Sequence, residues 1–401
     1  MGIALVAAFN VFVPLAFQHN ILLHLMSESS HSYTVMLTIH EMAQFSGPFK
    51  GMHSMLCMDG NLQQKRCCSA GRGDQPLEER QSFFVPEDIV AMMEKEVNNK
   101  RQACPHHPLE DDQDAVLPGL ELQNHIFDGC TDRFKAAKGS YEKAESPIFS
   151  DTGLMSLTCR HDRVIFMVNL HDAGERQYNA LALIQQLFLE LPAIWNIGIL
   201  YDIGCQLHRS MTKVSTFDAI VPFKKVVNIF LQYNLLPNYS HRITFGVSVF
   251  HAFGHEFSCQ CIYHPQKRVG FGCTDGEGCE RVWNQLLKEI PMLRVSGVRY
   301  ILSLGAYHHI DITPIPQHYR RKFIINQKLA HMNEQNFVKL GAWWGQKMSR
   351  AYRKLNNAVD ILDILDLGEN YLRGQWHAQR DSVTTKTPGK GVKCCICEIF
   401  Q

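Results

Sequence analysis

The sequence predicts an α/β fold: a mixed sheet of about five strands flanked by helices, with a large insertion after the first strand and a helical C-terminal region. Three observations predict it. Short apolar runs recur in "MHSMLCMDG", "DTGLMSLTC", "RVIFMVNL" and "WNIGILYDIGC", at the length that suits strands rather than helices. A helix-spaced segment, "GERQYNALALIQQLFLEL", separates the third run from the fourth. From about 320 to 376 the pattern is helical.

Taken in order, residues from about 52 to 66 read as a short strand that ends at Asp59 and gives way to basic residues. Between roughly 67 and 145 the chain is polar and charged, with "HHPLEDDQDAVLPG" as its most loop-like part, and reads as an insertion rather than core. "DTGLMSLTCRHD" and "RVIFMVNL" flank a polar corner, which suits an antiparallel hairpin. In the following helix Tyr178, Leu181, Ala182, Ile184, Leu187 and Phe188 share helical spacing, and Pro192 closes it. "WNIGILYDIGC" is a buried strand carrying one acid, Asp202. After "DAIVPFKKVVNIFLQYNLLPNY" and "RITFGVSVFHAFGHEFSCQCIYH" comes "DGEGCERVWNQLLKEI", a helix whose Val282, Trp283, Leu286 and Leu287 follow acids at its start. The closing "TTKTPGKGVKCCICEIF" is unlike a packed element, and Cys394, Cys395 and Cys397 lack a second ligand pair.

Composition bounds the function. With 401 residues, 45% apolar and 20% charged residues and a formal charge of +1, the chain is globular, and any polyanion is met by local patches. The 14 cysteines show no dense, regular spacing, which fits reduced thiols better than a disulfide framework. The apolar amino end lacks Lys or Arg before its apolar stretch, and Asn10, Gln18, His19 and Asn20 dilute it. It reads as a soluble helix or truncated domain edge in preference to a targeting segment, and no membrane partner is expected.

Asp59 and Asp202 both close apolar strands, so neighbouring strands that end together bring both carboxylates to one edge of the sheet. Glu277 or Glu280, at a helix start, completes a cluster. Converging carboxylates repel unless protonated or neutralised by cations. Hard divalent ions suit them, and two such ions about 3.5–4 Å apart stabilise both oxygens of a phosphoryl displacement. Taken singly, each acid also reads as a turn former, since Asp-Gly is a turn dipeptide.

His251, His255, Cys259 and Cys261 in "HAFGHEFSCQC" have spacings that suit zinc, the two histidines being one helical turn apart. The alternative is a packed segment whose histidines bond to backbone or to the acids. Arg160, His161, Arg209, Lys65 and Arg66 are candidate phosphate contacts. Solvated polar corners would look the same.

The blocks "CMDGNLQQKR", "GCTDRFKAA", "DTGLMSLTCRHDRVIFMVNLHDAGERQYNALALI", "ILYDIGCQLHRS", "RITFGVSVFHAFGHEFSCQCIYHPQKRVGFGCTDGEGCERVWNQL" and "IPMLRVSG" resemble, in order, the Kyakuja-Dileera-Zisupton (KDZ) transposases of fungal and other eukaryotic genomes. The likeness runs with gaps from about 50 to 376. It implies a ribonuclease H-like fold and a DDE-type enzyme that cuts and rejoins DNA with Mg²⁺ or Mn²⁺. It puts the first acid on Asp59, the second on Asp202, and the third in "DGEGCERVW", on Glu280 in preference to Glu277; Asp151 and Asp162 are rival first acids, disfavoured because the implied fold has its first catalytic strand before the 154–170 hairpin. Transposon ends and target DNA are the implied partners, with a homo-oligomer when active and a nuclear location.

The chain departs from the family in two places. Residues 1–50 show little of the cysteine-rich, helical region expected before the first acid, and about 217–241 reads as a second insertion. The expected organisation is therefore an atypical or truncated 1–50, a catalytic unit over 51–300, a helical region over 301–376 and an unpacked tail over 377–401. A copy that has lost activity, a nuclease without strand transfer and a DNA-binding protein without catalysis are the alternatives.

Overall fold

The computed structural model describes residues 54–67, 82–103, 116–138, 149–295 and 317–384, apart from 118, 173, 213, 222–224, 233–234, 273 and 367. The expectations for residues 1–50 and for the closing cysteines lie outside the described residues.

Five strands form the central sheet: β1 (Ser54–Asn61), β4 (Gly153–Cys159), β5 (Val164–Leu170), β6 (Ile197–Tyr201) and β9 (Ile243–Gly246), in the order β5-β4-β1-β6-β9. The remaining strands are β2 (Arg66–Cys67), β3 (Phe149–Asp151), β7 (Val214–Val221) and β8 (Lys225–Gln232), which pair β2 with β3 and β7 with β8. In the central sheet β1 is antiparallel to β4 and parallel to β6, β4 is antiparallel to β5, and β6 is parallel to β9. The sheet is therefore mixed, and the 154–170 hairpin and the strand before Asp202 stand where the apolar runs placed them.

Both faces are covered, which is why the strands read as nearly unbroken apolar runs. Alternate residues of each strand enter separate cores. Leu56 and Met58 of β1, Met155 and Leu157 of β4, and Ile197, Ile199 and Tyr201 of β6 join one cluster. Cys57, Leu154 and Leu200 join the other.

The helices are α1 (Glu87–Ala103), α2 (Asn124–Lys138), α3 (Gln177–Glu190), α4 (Gly204–Thr212), α5 (Val249–Ala252), α6 (Phe257–Tyr263), α7 (Gly278–Leu286), α8 (Ile290–Val295), α9 (Gln317–Val338), α10 (Leu340–Leu365) and α11 (Glu369–Thr384). On the first face α3 buries Leu181, Ile184, Leu187 and Phe188 against the sheet. On the second, α7 contributes Val282, Trp283 and Leu286 and α9 contributes Ile325, Leu329 and Met332.

The region from 67 to 145 departs from expectation. It contributes to the core: Val85, Met93, Val97, Leu122 and Phe127 are buried in the first cluster, and α1 packs on α3. Its polar average conceals the stripe, since Met93 and Val97 lie one helical turn apart among charged neighbours. Residues 83–85 also run beside β5, with Met167 N–H donating to the Phe83 carbonyl at 2.7 Å and Val85 N–H to the Met167 carbonyl at 2.9 Å. The second inserted segment covers most of the β7–β8 hairpin, which begins at Val214 and stays outside the central sheet.

The C-terminal region is helical, and α9 docks on the β5 edge. Asn333 donates to the Val164 carbonyl at 2.8 Å and accepts from its N–H at 2.9 Å, which satisfies backbone groups that an edge strand would expose. Arg321, 1% exposed, bonds Asp151, Asn169 and the Gln64 carbonyl. α11 continues to Thr384, so the expected tail from 377 begins within a helix. Among the described residues no helix is long and apolar enough to cross a membrane.

Candidate active site

The parallel register of β1 and β6 pairs Met58 with Tyr201, and the residues that follow them are Asp59 and Asp202. Strand parity sets their direction. Asp59 is two residues beyond Cys57 and Asp202 two beyond Leu200, so both belong to the face that α7 covers. The two carboxylates are 8% and 9% exposed. α7 meets them there: its Trp283 Nε1–H donates to Asp59 Oδ2 at 2.7 Å. Glu280 lies one turn before Trp283, and Glu277 is the N-cap of the same helix. Glu277 Oε1 accepts the Phe250 N–H at 3.0 Å, tying the start of α7 to α5.

Electrostatics confirm that these acids feel one another. Burial, then Asp202 and Glu175, push the Asp59 carboxyl well above its ordinary range against the opposing Trp283 hydrogen bond. Burial, then Glu175, Glu277 and Glu280, push Asp202 up to about 8. Glu277 is raised as well, by burial first and by Asp275 and Glu280 after it. A group of acids that raise one another in this way is a set of oxygen donors short of positive charge.

Glu175, a neighbour of this group, had no assigned role in the sequence, whereas His251 takes the alternative weighed for it, contact with the acids. Glu175 lies over Gly60, where an added Cβ would come within 2.6 Å of its Cγ and Cδ, and its Oε2 accepts the Tyr201 hydroxyl at 2.8 Å. Its only sequence signal is an acid in the polar corner after β5, a signal that Asp172 shares while bonding to Tyr178 instead. His251, expected as a zinc ligand, stands with Nδ1 3.2 Å from Asp202 Oδ2. Burial, then His255, lower the pKa of its ring.

The rival acids are occupied elsewhere. Asp162, at φ 62° in the β4–β5 turn, takes two bonds of 2.7 Å from Arg281. Asp151 is fully buried between Arg66, Arg321 and His171; burial pushes its pKa up, but these three outweigh it and hold it low.

Three candidate phosphate contacts are also turned inward. Arg66 pairs with Asp151 at 2.8 Å, and Arg209 pairs with Asp128 at 2.7 Å while lying over the Phe127 ring. His161 packs edge-on against Trp343, and burial, then Arg160, lower its pKa to about 3, so it offers no cation. Arg160 belongs to the β4–β5 turn, its N–H bonded to the Met55 carbonyl, and Lys65 lies over the Phe149 ring.

A second donor set stands behind Asp202. Cys130, Cys205, His255 and Cys259 are all buried, with ligand atoms within 4.8 Å of one another, a grouping compatible with zinc. His255 and Cys259 were expected in such a set, whereas His251 and Cys261 do not join it. α5 ends at Ala252 and α6 starts at Phe257, so the two histidines are not on one helix and face different ways. Cys261 is buried apart, its sulfur 3.8 Å from Lys267 Nζ. Cys130 and Cys205 come from α2 and α4, too distant in sequence to be read as partners.

Fold and site thus define an α/β protein with acids gathered on one face of a mixed sheet and a separate cysteine/histidine group behind them. The family profile described as Kyakuja-Dileera-Zisupton transposase matches residues 52–303, and the chain belongs to that family of DNA-cutting enzymes. No match is found among curated proteins or solved structures. The match begins just before β1 and extends past α8, so it spans all five central strands and every acid of the cluster.

Proposed function

We propose that this chain carries a DDE-type active site on a ribonuclease H-like fold and that it cuts transposon ends and joins them to target DNA. The observation that carries the reading is the meeting of Asp59 and Asp202, 143 positions apart, just beyond the last parallel pair of β1 and β6 and beneath the acid-bearing helix α7. The strand, hairpin, helix, strand order and the mixed sheet support the fold assignment.

The donor set fits hard divalent cations, because several carboxylates raise one another's proton affinity and cations would relieve that repulsion. Asp59, Asp202 and Glu280, with Glu277 beside them, would hold Mg²⁺ or Mn²⁺. When bound, such ions supply charge stabilisation to the attacking and leaving oxygens of a phosphodiester displacement.

The protein's own part is placement. Trp283 holds Asp59 Oδ2 and leaves Oδ1 for another partner. His251 steadies Asp202, and Tyr201 steadies Glu175. Rigid strand ends keep both aspartates in position while DNA exchanges. Water then attacks the phosphodiester at an element end, and the freed 3′ hydroxyl attacks target DNA. Two ends must be held together for this, so an oligomer in the nucleus is the working form.

The test compares wild type with Asp59→Ala, Asp202→Ala, Glu280→Ala and Glu277→Ala in Mg²⁺- and Mn²⁺-dependent cleavage and joining of element-end duplexes. Loss of both products with DNA binding retained supports the reading. Equal cleavage by wild type and Asp202→Ala overturns the site. Metal-dependent cleavage without joined product identifies a nuclease, and binding without any cleavage identifies a DNA-binding protein.

A further inference from the structure

The geometry assigns a structural zinc site to Cys130, Cys205, His255 and Cys259, which clamps the α2 segment against the back of the Asp202 strand end. The site is distinct from the acid cluster in donor chemistry. Its soft thiolates and one imidazole select zinc, whereas the carboxylates select hard ions.

The tautomer of His255 provides the first argument. Its Nε2 lies 2.9 Å from the Asp202 carbonyl oxygen. A carbonyl only accepts, so Nε2 carries the proton and donates, and in the neutral ring Nδ1 holds one in-plane lone pair. Yet two sulfurs, of Cys205 and Cys259, each lie 3.5 Å from that nitrogen. One lone pair cannot satisfy both as hydrogen bonds. A metal at the centre takes that lone pair and the sulfurs together. An imidazole that binds through one nitrogen while donating the other N–H to a carbonyl is the usual arrangement of a metal-bound histidine.

Dimensions agree. Zn–S of about 2.3 Å and Zn–N of about 2.05 Å at a tetrahedral angle separate sulfur from nitrogen by about 3.6 Å, close to the observed 3.5 Å. Cys130 Sγ also accepts the Glu256 N–H at 3.4 Å, the kind of backbone contact that stabilises a thiolate ligand. Four buried protein ligands leave no open position, which marks a structural rather than a catalytic site.

The site's place in the fold gives its role. Cys130 belongs to α2, Cys205 to the first turn of α4 just beyond Asp202, and Cys259 to the first turn of α6. His255 bonds the Asp202 backbone directly. Zinc therefore pins α2 and the His255–Cys259 segment, both distant in sequence, to the start of α4 just beyond the second acid.

The test is the metal content of the purified full chain. About one zinc per chain is expected, lost in Cys130→Ser and Cys259→Ser and retained in Cys261→Ser. Cobalt exchanged into wild type should give thiolate charge-transfer bands and the intense visible bands of a tetrahedral ion. Cys130→His should keep one cobalt with weaker charge transfer, which decides the matter even where the serine variants do not fold. Asp202→Asn should leave zinc content unchanged, so failure of the catalytic reading does not touch this one. A wild type without zinc and without a tetrahedral cobalt spectrum overturns the site, as does zinc that persists in both serine variants.

Discussion

Asp202→Asn tests the gathering of acids without any need for activity. In the metal-free protein the Asp202 carboxyl is raised to about 8 from an ordinary 3.8, chiefly by burial and by Glu175, Glu277 and Glu280. The native state therefore holds this proton more tightly than the unfolded chain does. The resulting stabilisation is present below the ordinary carboxylate range and is lost as pH rises through about 8. At 1.36 kcal/mol per pH unit of difference, the handicap relative to a side chain that does not titrate is about 2 kcal/mol at pH 5 and about 5 kcal/mol at pH 8.5, both ceilings.

Asparagine keeps the shape and does not ionise. Relative to wild type, Asp202→Asn should gain at least about 2 kcal/mol between pH 5 and pH 8.5 in urea unfolding followed by tryptophan fluorescence. The buffer should contain no magnesium and no chelator, so that the cysteine/histidine group is undisturbed. Millimolar Mg²⁺ should then stabilise wild type at pH 8.5 and leave the variant unchanged. A stability difference that does not move with pH, or a variant less stable than wild type at pH 8.5, would refute the convergence of these carboxylates.

Three further outcomes follow from the packing. Arg321→Met leaves Asp151 short of one of its buried partners and severs the bond to the Gln64 carbonyl, so stability should fall by about 3 kcal/mol or more in the same urea assay; a loss below about 1 kcal/mol would mean that α9 does not dock as described. Gly204→Ala places a Cβ 2.3 Å from the Gly246 carbonyl oxygen, a backbone atom that cannot step aside, and should cost about 2 kcal/mol or more in thermal or urea unfolding. Gly341→Ala, with open space around it, is the control and should not destabilise. Trp283→Phe keeps the packed ring but removes the donor that lowers the Asp59 pKa, so half-maximal cleavage should need more Mg²⁺ and the lower limb of the pH–rate profile should move up; an unchanged Mg²⁺ requirement would argue against Asp59 as a ligand.

What was legible in the sequence depended on the distance over which each signal acts. Short apolar runs and the Pro192 stop are local, and the strands and α3 stand where those signals placed them. Asp59 and Asp202 could be suspected because each closes such a run, but their meeting depends on the β1–β6 register, which no single segment encodes. The stretch from 67 to 145 misled because charge averaged over many residues hides a narrow stripe: Met93 and Val97 suffice to dock α1, yet hardly alter its composition. Of the expected metal ligands His255 and Cys259 join the cysteine/histidine group, and His251 does not, for another reason. Reading His251 and His255 as one helical turn presumes a continuous helix, and the chain breaks between Ala252 and Phe257.

That break has a physical consequence for the site. It turns His251 toward the Asp202 carboxylate and His255 toward the sulfurs, while His255 also grips the Asp202 carbonyl. One residue is thus held from its side chain by one histidine and from its backbone by the other, four positions on. A continuous helix would have put both rings on one side and left either the carboxylate or the thiols without an imidazole. The separation of hard and soft donors is therefore built into the same short segment that joins them.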